Sequence, residues 1–198
     1  MATVDERLRK KEYHRLWQEY CGFLDLSMDD YMKIQRRLLE EQLEMYNNCR
    51  LGEIIFQGHK PKTIEDFREL VPYTTYDDYA DYLLAKDASV LPAEPVLWIQ
   101  TTWEGGRHPT KVAPYTRGIL DSHKDNVIGA LILSTSTKKG EFSLRCHDKF
   151  LYGMAPLPYL TGLLPHAIEN DLTLDFLPPI KEAESMSFGQ RNKEGFKQ

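Results

Sequence analysis

The sequence predicts an α/β fold in which a helical N-terminal region precedes an incomplete, mainly parallel sheet. Apolar residues recur at helical spacing through residues 1–90, and three S/T-x-x-D capping patterns punctuate them. From residue 91 onward, β-prone runs bounded by proline alternate with helical stretches, the order that builds parallel sheets. The chain therefore reads as a helical region, residues 1–90, followed by a partial α/β subdomain, residues 91–198. A content of 41% hydrophobic and 28% charged residues is that of a chain that buries a core, not of a disordered one.

Tyr13, Leu16, Trp17, Tyr20 and Leu24 fall near one face of a first helix. Ser27 and Asp30 form a capping pattern before a long amphipathic stretch through Met32, Ile34, Leu38, Leu39, Leu43 and Met45. A short helix over Gly52 to Phe56 and a polar turn, GHKPK, follow. Thr63 with Asp66 opens a helix of about two turns that Pro72 stops. Thr75 with Asp78 opens another through Tyr79, Tyr82 and Leu83.

The run Pro95 to Gln100 is then the first strand. Thr116 is placed to cap a helix carrying Ile119, Leu120, Val127, Ile128, Leu131 and Ile132. DKFLYGMAPLP reads as a second strand ending in a loop, and YLTGLLPHAIEND as a helix in which Pro165 is a break or the start of a new turn. LTLDFLPPI is the third strand, and the last helix begins in KEAESMSFGQRNKEGFKQ.

A net charge of −5, with basic residues scattered among acids, argues against nucleic acid as a partner, because phosphate backbones need clustered Lys and Arg. The charged N-terminus is unlike a signal peptide, and no apolar run approaches the ~20 residues of a membrane helix. Cys21, Cys49 and Cys146 are far apart and lack metal-type spacing, as expected of thiols in a reducing cytoplasm. A cytoplasmic protein without membrane partners is the expectation.

Chemistry concentrates in TTWEGGRHPTKVAPYT, Thr101 to Thr116. Hydroxyls at Thr101 and Thr102, glycines at Gly105 and Gly106, and a cation at Lys111 or Arg107 are what a phosphate-binding turn uses. The spacing is neither a Walker loop nor a dinucleotide fingerprint, and the same residues also make ordinary turns.

Three ordered segments widen the context: FRELVPYTTYDDYADYL, LWIQTTWEGGRHPTKVAPYTRGIL and FLYGMAPLPYLTGLL. Together they resemble the N-terminal part of the auxin-responsive-promoter (Gretchen Hagen) family of acyl-acid amido synthetases, within the adenylate-forming ligases. Phenylacetate–coenzyme A ligases are more distant relatives. The resemblance implies that the chain is part of the large N-terminal domain of such a ligase. It implies a two-step reaction: a carboxylic acid and Mg·ATP give an acyl-adenylate and pyrophosphate, and an amine or thiol then displaces AMP.

It further implies that Thr101, Thr102, Gly105, Gly106 and Lys111 hold the β- and γ-phosphates of ATP, with Mg2+ as the accompanying ion. Tyr159, within APLPYLTGLL, would wall the acyl pocket, although a core or helix-start aromatic explains it equally. Trp103 stands where the family has a glycine, and Glu104 adds negative charge beside the phosphates. No catalytic residue is assigned, because the later family motifs have no counterpart in this chain.

The expectation is an N-terminal fragment, inactive alone, that self-associates through exposed apolar surface. The alternative is a non-catalytic relative serving as a binding or interaction module. Three other constellations carry less. The histidines at 14, 59, 108, 123, 147 and 166 lack metal-type pairing. Cys146 and His147 are adjacent, which on a strand would point them to opposite faces. Asp77, Asp78 and Asp81 read as the solvated start of a helix.

Overall fold

The computed structural model describes residues 2–102 and 107–197, Thr102 by its backbone alone. In chain order the helices are α1 (Val4–Arg9), α2 (Tyr13–Cys21), α3 (Met28–Asn47), α4 (Arg50–Ile55), α5 (Ile64–Leu70), α6 (Ala80–Leu84), α7 (Arg117–Ser134), α8 (Leu163–Ile168), α9 (Ile180–Ala183) and α10 (Phe188–Gly195). The strands are β1 (Leu97–Thr102), β2 (Thr110–Tyr115), β3 (Ser136–Lys138), β4 (Glu141–Phe142), β5 (Lys149–Leu151) and β6 (Asp175–Leu177). Two compact units result, one of residues 1–25 with 118–198 and one of residues 26–117. This division does not follow the change from helical to β-prone sequence near residue 90.

In the first unit, the expected first helix is two. Lys11, at φ 60°, breaks the chain between α1 and α2. Leu24 leaves the buried face, lying 52% exposed in the short 3-10 turn Gly22–Asp25. Asp5 ties α1 to a distant segment, accepting from the Thr173 amide at 3.0 Å and hydroxyl at 2.6 Å. Leu16, Trp17 and Cys21 of α2 share a buried cluster with Ile128 and Ile132 of α7, Ile168 of α8, and Leu172. Gly129 permits the close crossing of α2 and α7, since a Cβ there would sit 2.9 Å from the Tyr20 carbonyl oxygen.

The parallel expectation is met by one pair. β5 and β6 run parallel in the register Phe150↔Phe176, joined by a connection that contains α8. Pro165 falls in the first turn of α8, where its missing N–H costs nothing. The segment expected to form one last helix is two, α9 and α10, with a Ser187–Gln190 capping box starting the second. Ser136 to Lys138 forms one strand of the β3–β4 hairpin, with Gly140 supplying φ +78° in its turn.

The second unit opens with α3, capped as expected by Ser27, whose hydroxyl accepts from the Asp30 amide at 3.1 Å. The thiol of Cys49 caps α4, and Gly52 passes directly under the Tyr46 carbonyl, where any side chain would overlap it. The Thr63–Asp66 box opens α5 as expected, and that helix ends at Leu70, before Pro72. The Thr75–Asp78 box opens a 3-10 turn, Tyr76–Asp78, and α6 follows it.

Two of the three sheets are antiparallel, so a mainly parallel sheet is not what the described residues build. β1 and β2 form a hairpin with Leu97↔Tyr115 and Thr102↔Thr110 as its ends. The physical reason is length: residues 103–109 are too few for the crossover of a dozen or more residues that a parallel return needs.

Candidate functional site

The hairpin strands place three of the sequence-derived site positions. Thr101 and Thr102 end β1, and Lys111 lies in β2 rather than in a loop leading to a helix. Thr101 is the cross-strand partner of Lys111, so both side chains stand on one face of the hairpin. Thr102 is opposite Thr110. Thr101 and Arg107 are exposed, while Lys111 is half-buried. Gly105, Gly106, Trp103 and Glu104 lie outside the described residues.

The segment before α6 organises the base of the hairpin. The Tyr76 hydroxyl accepts a hydrogen bond from the Val112 amide at 2.8 Å and donates one to the Val112 carbonyl at 3.1 Å. Both backbone groups of Val112 thus point away from β1, and a single phenol satisfies them. The Lys111 ammonium sits 5.3 Å from the centre of the Tyr76 ring, within range of a cation–π attraction. His108 meets the same ring edge-on at 5.9 Å, and its Nε2 lies 3.4 Å from Asp77 Oδ1. Tyr79 packs edge-on to Tyr76 at 5.7 Å. Burial pushes the Tyr79 phenol above its usual range, aided by Asp78 and Tyr76, so that it stays neutral.

Chemically, one face of the hairpin carries the Thr101 hydroxyl opposite the Lys111 ammonium, while Thr110, next along β2, stands on the other face. His108, on the segment that enters β2, sits against Asp77. Sequence reading missed Tyr76, Asp77 and His108. The acids were read as a solvated helix start, and the partner of the Tyr76 phenol is the backbone of Val112, 36 residues on.

Tyr159 belongs to the other unit. It is half-buried in a turn that folds on itself: its amide donates to Pro156 O at 3.1 Å, and its carbonyl accepts from the Gly162 amide at 2.9 Å. Thr161 adds a hydroxyl bond to Ala155 O at 3.1 Å. His147 pairs with Asp175 at 3.0 Å, whereas the Cys146 thiol donates to the Asp5 carbonyl at 3.8 Å, so the two do not form a nucleophile pair. Among the described residues no group of three or more His, Cys, Asp or Glu is placed to hold a metal, and no helix is long and apolar enough to cross a membrane.

Residues 21–145, more than half of the chain and including the whole hairpin, match the profile of the GH3 family N-terminal domain. The chain belongs to the GH3 family. No curated protein and no solved structure gave a match. The matched stretch contains Tyr76, the hairpin and Lys111, whereas Tyr159 falls beyond it.

Proposed function

We propose that this GH3 family chain is the N-terminal part of an ATP-dependent acyl-adenylate-forming ligase, joining a carboxylic acid to an amine or thiol. The observation that carries the reading is the family match across the hairpin, with Thr101 and Lys111 opposed on one of its faces. In this reading the hydroxyls of Thr101 and Thr102 and the backbone N–H groups at Gly105 and Gly106 donate to the β- and γ-phosphates. Lys111 neutralises charge on the departing pyrophosphate, where electrostatic stabilisation matters most. Mg2+ enters with the nucleotide. Tyr159 forms part of the wall for the acyl group.

Isothermal titration of the full chain with Mg·ATP tests the reading. Binding is expected, and Lys111→Ala should weaken it about tenfold or more, the scale of a lost charged hydrogen bond. Thr101→Val should weaken it by a smaller factor. Absence of binding, or affinities unchanged in both variants, overturns the phosphate assignment.

The reading extends to the cytoplasm as location, supported by three free thiols. It extends also to self-association through α3. Tyr31, Ile34, Leu38 and Met45 make an exposed apolar stripe along that helix. Lys33, Arg36 and Arg37 precede Glu40, Glu41 and Glu44 along it. Two copies laid antiparallel would therefore match opposite charges along the flank of the stripe that carries Arg37, Glu41 and Glu44, as an isologous contact allows. The pairs these charges make within the chain, such as Lys33–Asp30 and Arg36–Glu65, are exposed and weak enough to exchange.

A further inference from the structure

We propose that Tyr76 is a positioning residue for the phosphate-binding hairpin, holding β2 by its backbone and seating the Lys111 ammonium on its ring. The inference rests on the phosphate reading above and adds to it a residue that contributes no donor to the phosphates. A free hairpin edge is pliable, because its N–H and C=O groups bond only to water. At Val112 this does not occur: the phenol closes both groups at 2.8 Å and 3.1 Å, next to the lysine whose position matters. The ring face, 5.3 Å from Nζ, then limits where that long side chain points. A lysine chain left to itself loses much rotamer freedom on binding an anion. Restricting it beforehand removes part of that cost from the binding step.

The turn that carries the tyrosine is itself anchored. Thr75 and Asp78 close a capping box around it, the Thr75 amide reaching Asp78 Oδ2 at 2.6 Å. Asp77 is drawn to His108, on the segment entering β2, at 3.4 Å. The hairpin is thus gripped on either side of Lys111, at His108 and at Val112. One side chain thus supplies both the clamp at Val112 and the seat for the Lys111 ammonium.

Two substitutions separate the parts. Tyr76→Phe keeps the ring and removes both hydrogen bonds, whereas Tyr76→Leu removes the ring as well. In the nucleotide-free chain, amide exchange at Val112 should be slow in the unsubstituted protein and about tenfold faster or more in Tyr76→Phe, with far-ultraviolet dichroism unchanged. Titration with Mg·ATP should show affinity falling about three- to tenfold in Tyr76→Phe and further in Tyr76→Leu.

The deciding measurement is the double-mutant cycle with Lys111→Ala. A positioning residue loses its effect once the lysine is gone, whereas general destabilisation lowers affinity equally in both backgrounds. Additive losses, an affinity unchanged in Tyr76→Phe, or rapid exchange at Val112 in the unsubstituted chain each overturn the proposal while leaving the phosphate reading standing. No Mg·ATP binding by the unsubstituted chain overturns both, with Val112 protection then reporting a clamp of structural use only.

Discussion

Gly52 shows how much one missing side chain decides. It lies in the first turn of α4 under the Tyr46 carbonyl, with no room for a Cβ. Gly52→Ala should cost on the order of 2 kcal/mol despite the better helix propensity of alanine, as urea denaturation will read. Asp5 gives a pH signature. Burial works to raise its pKa, but hydrogen bonds from the Thr173 hydroxyl and amide outweigh it and hold the carboxyl below its usual value. A depressed folded pKa contributes stability above the unfolded value, about 3.9, that is lost as pH falls through the folded one. Asp5→Asn should therefore be less stable than the unsubstituted chain at neutral pH, and the gap should narrow below about pH 4 in acid titrations followed by dichroism. Residue types singled out Thr101 and Lys111, which the hairpin register sets opposite each other. They did not make Tyr76 legible, because its partner, the Val112 backbone, is far away along the chain and unmarked by any side chain.

Among the elements, those set by neighbours in the chain were read best. The caps at Ser27, Thr63 and Thr75 all bind the amides or close the boxes that their spacing implies. Thr3 with Glu6 and Ser187 with Gln190 are boxes of the same local kind that sequence reading passed over. Removing the hydroxyl in Thr63→Ala should destabilise the chain by ~1 kcal/mol in chemical denaturation. Strands were read less well. Lys111 to Pro114 looked like the end of a loop because proline and a charge obscure its alternation, yet it pairs residue by residue with β1. The stripe on α3 provides a test at this scale. Leu38→Glu places a carboxylate at its centre and should leave the protein monomeric in sedimentation velocity at concentrations where the unsubstituted chain associates. A sedimentation coefficient independent of concentration for the unsubstituted chain would sink the self-association proposal.

At the scale of the whole molecule, the two units are the main finding that composition could not announce. Residues 1–25 fold with residues 118–198, across the interval occupied by residues 26–117. Ile128, fully buried where α7 meets α2, is a clean probe of the first unit. Ile128→Ala should cost about 2–4 kcal/mol, with the loss of hydrogen-exchange protection concentrated in residues 1–25 and 118–198. Equal loss in residues 26–117 would show that the units do not open separately. By itself the sequence determined the helices α3, α5 and α7, the caps at Ser27, Thr63 and Thr75, the β5–α8–β6 order and the family, because each is written in residue types a few positions apart. Tertiary structure alone decided that β2 returns antiparallel to β1, that Tyr76 closes on Val112, and that the N-terminal helices join the C-terminal unit. Those outcomes depend on which distant backbone groups and apolar faces satisfy one another, and local spacing does not encode that choice.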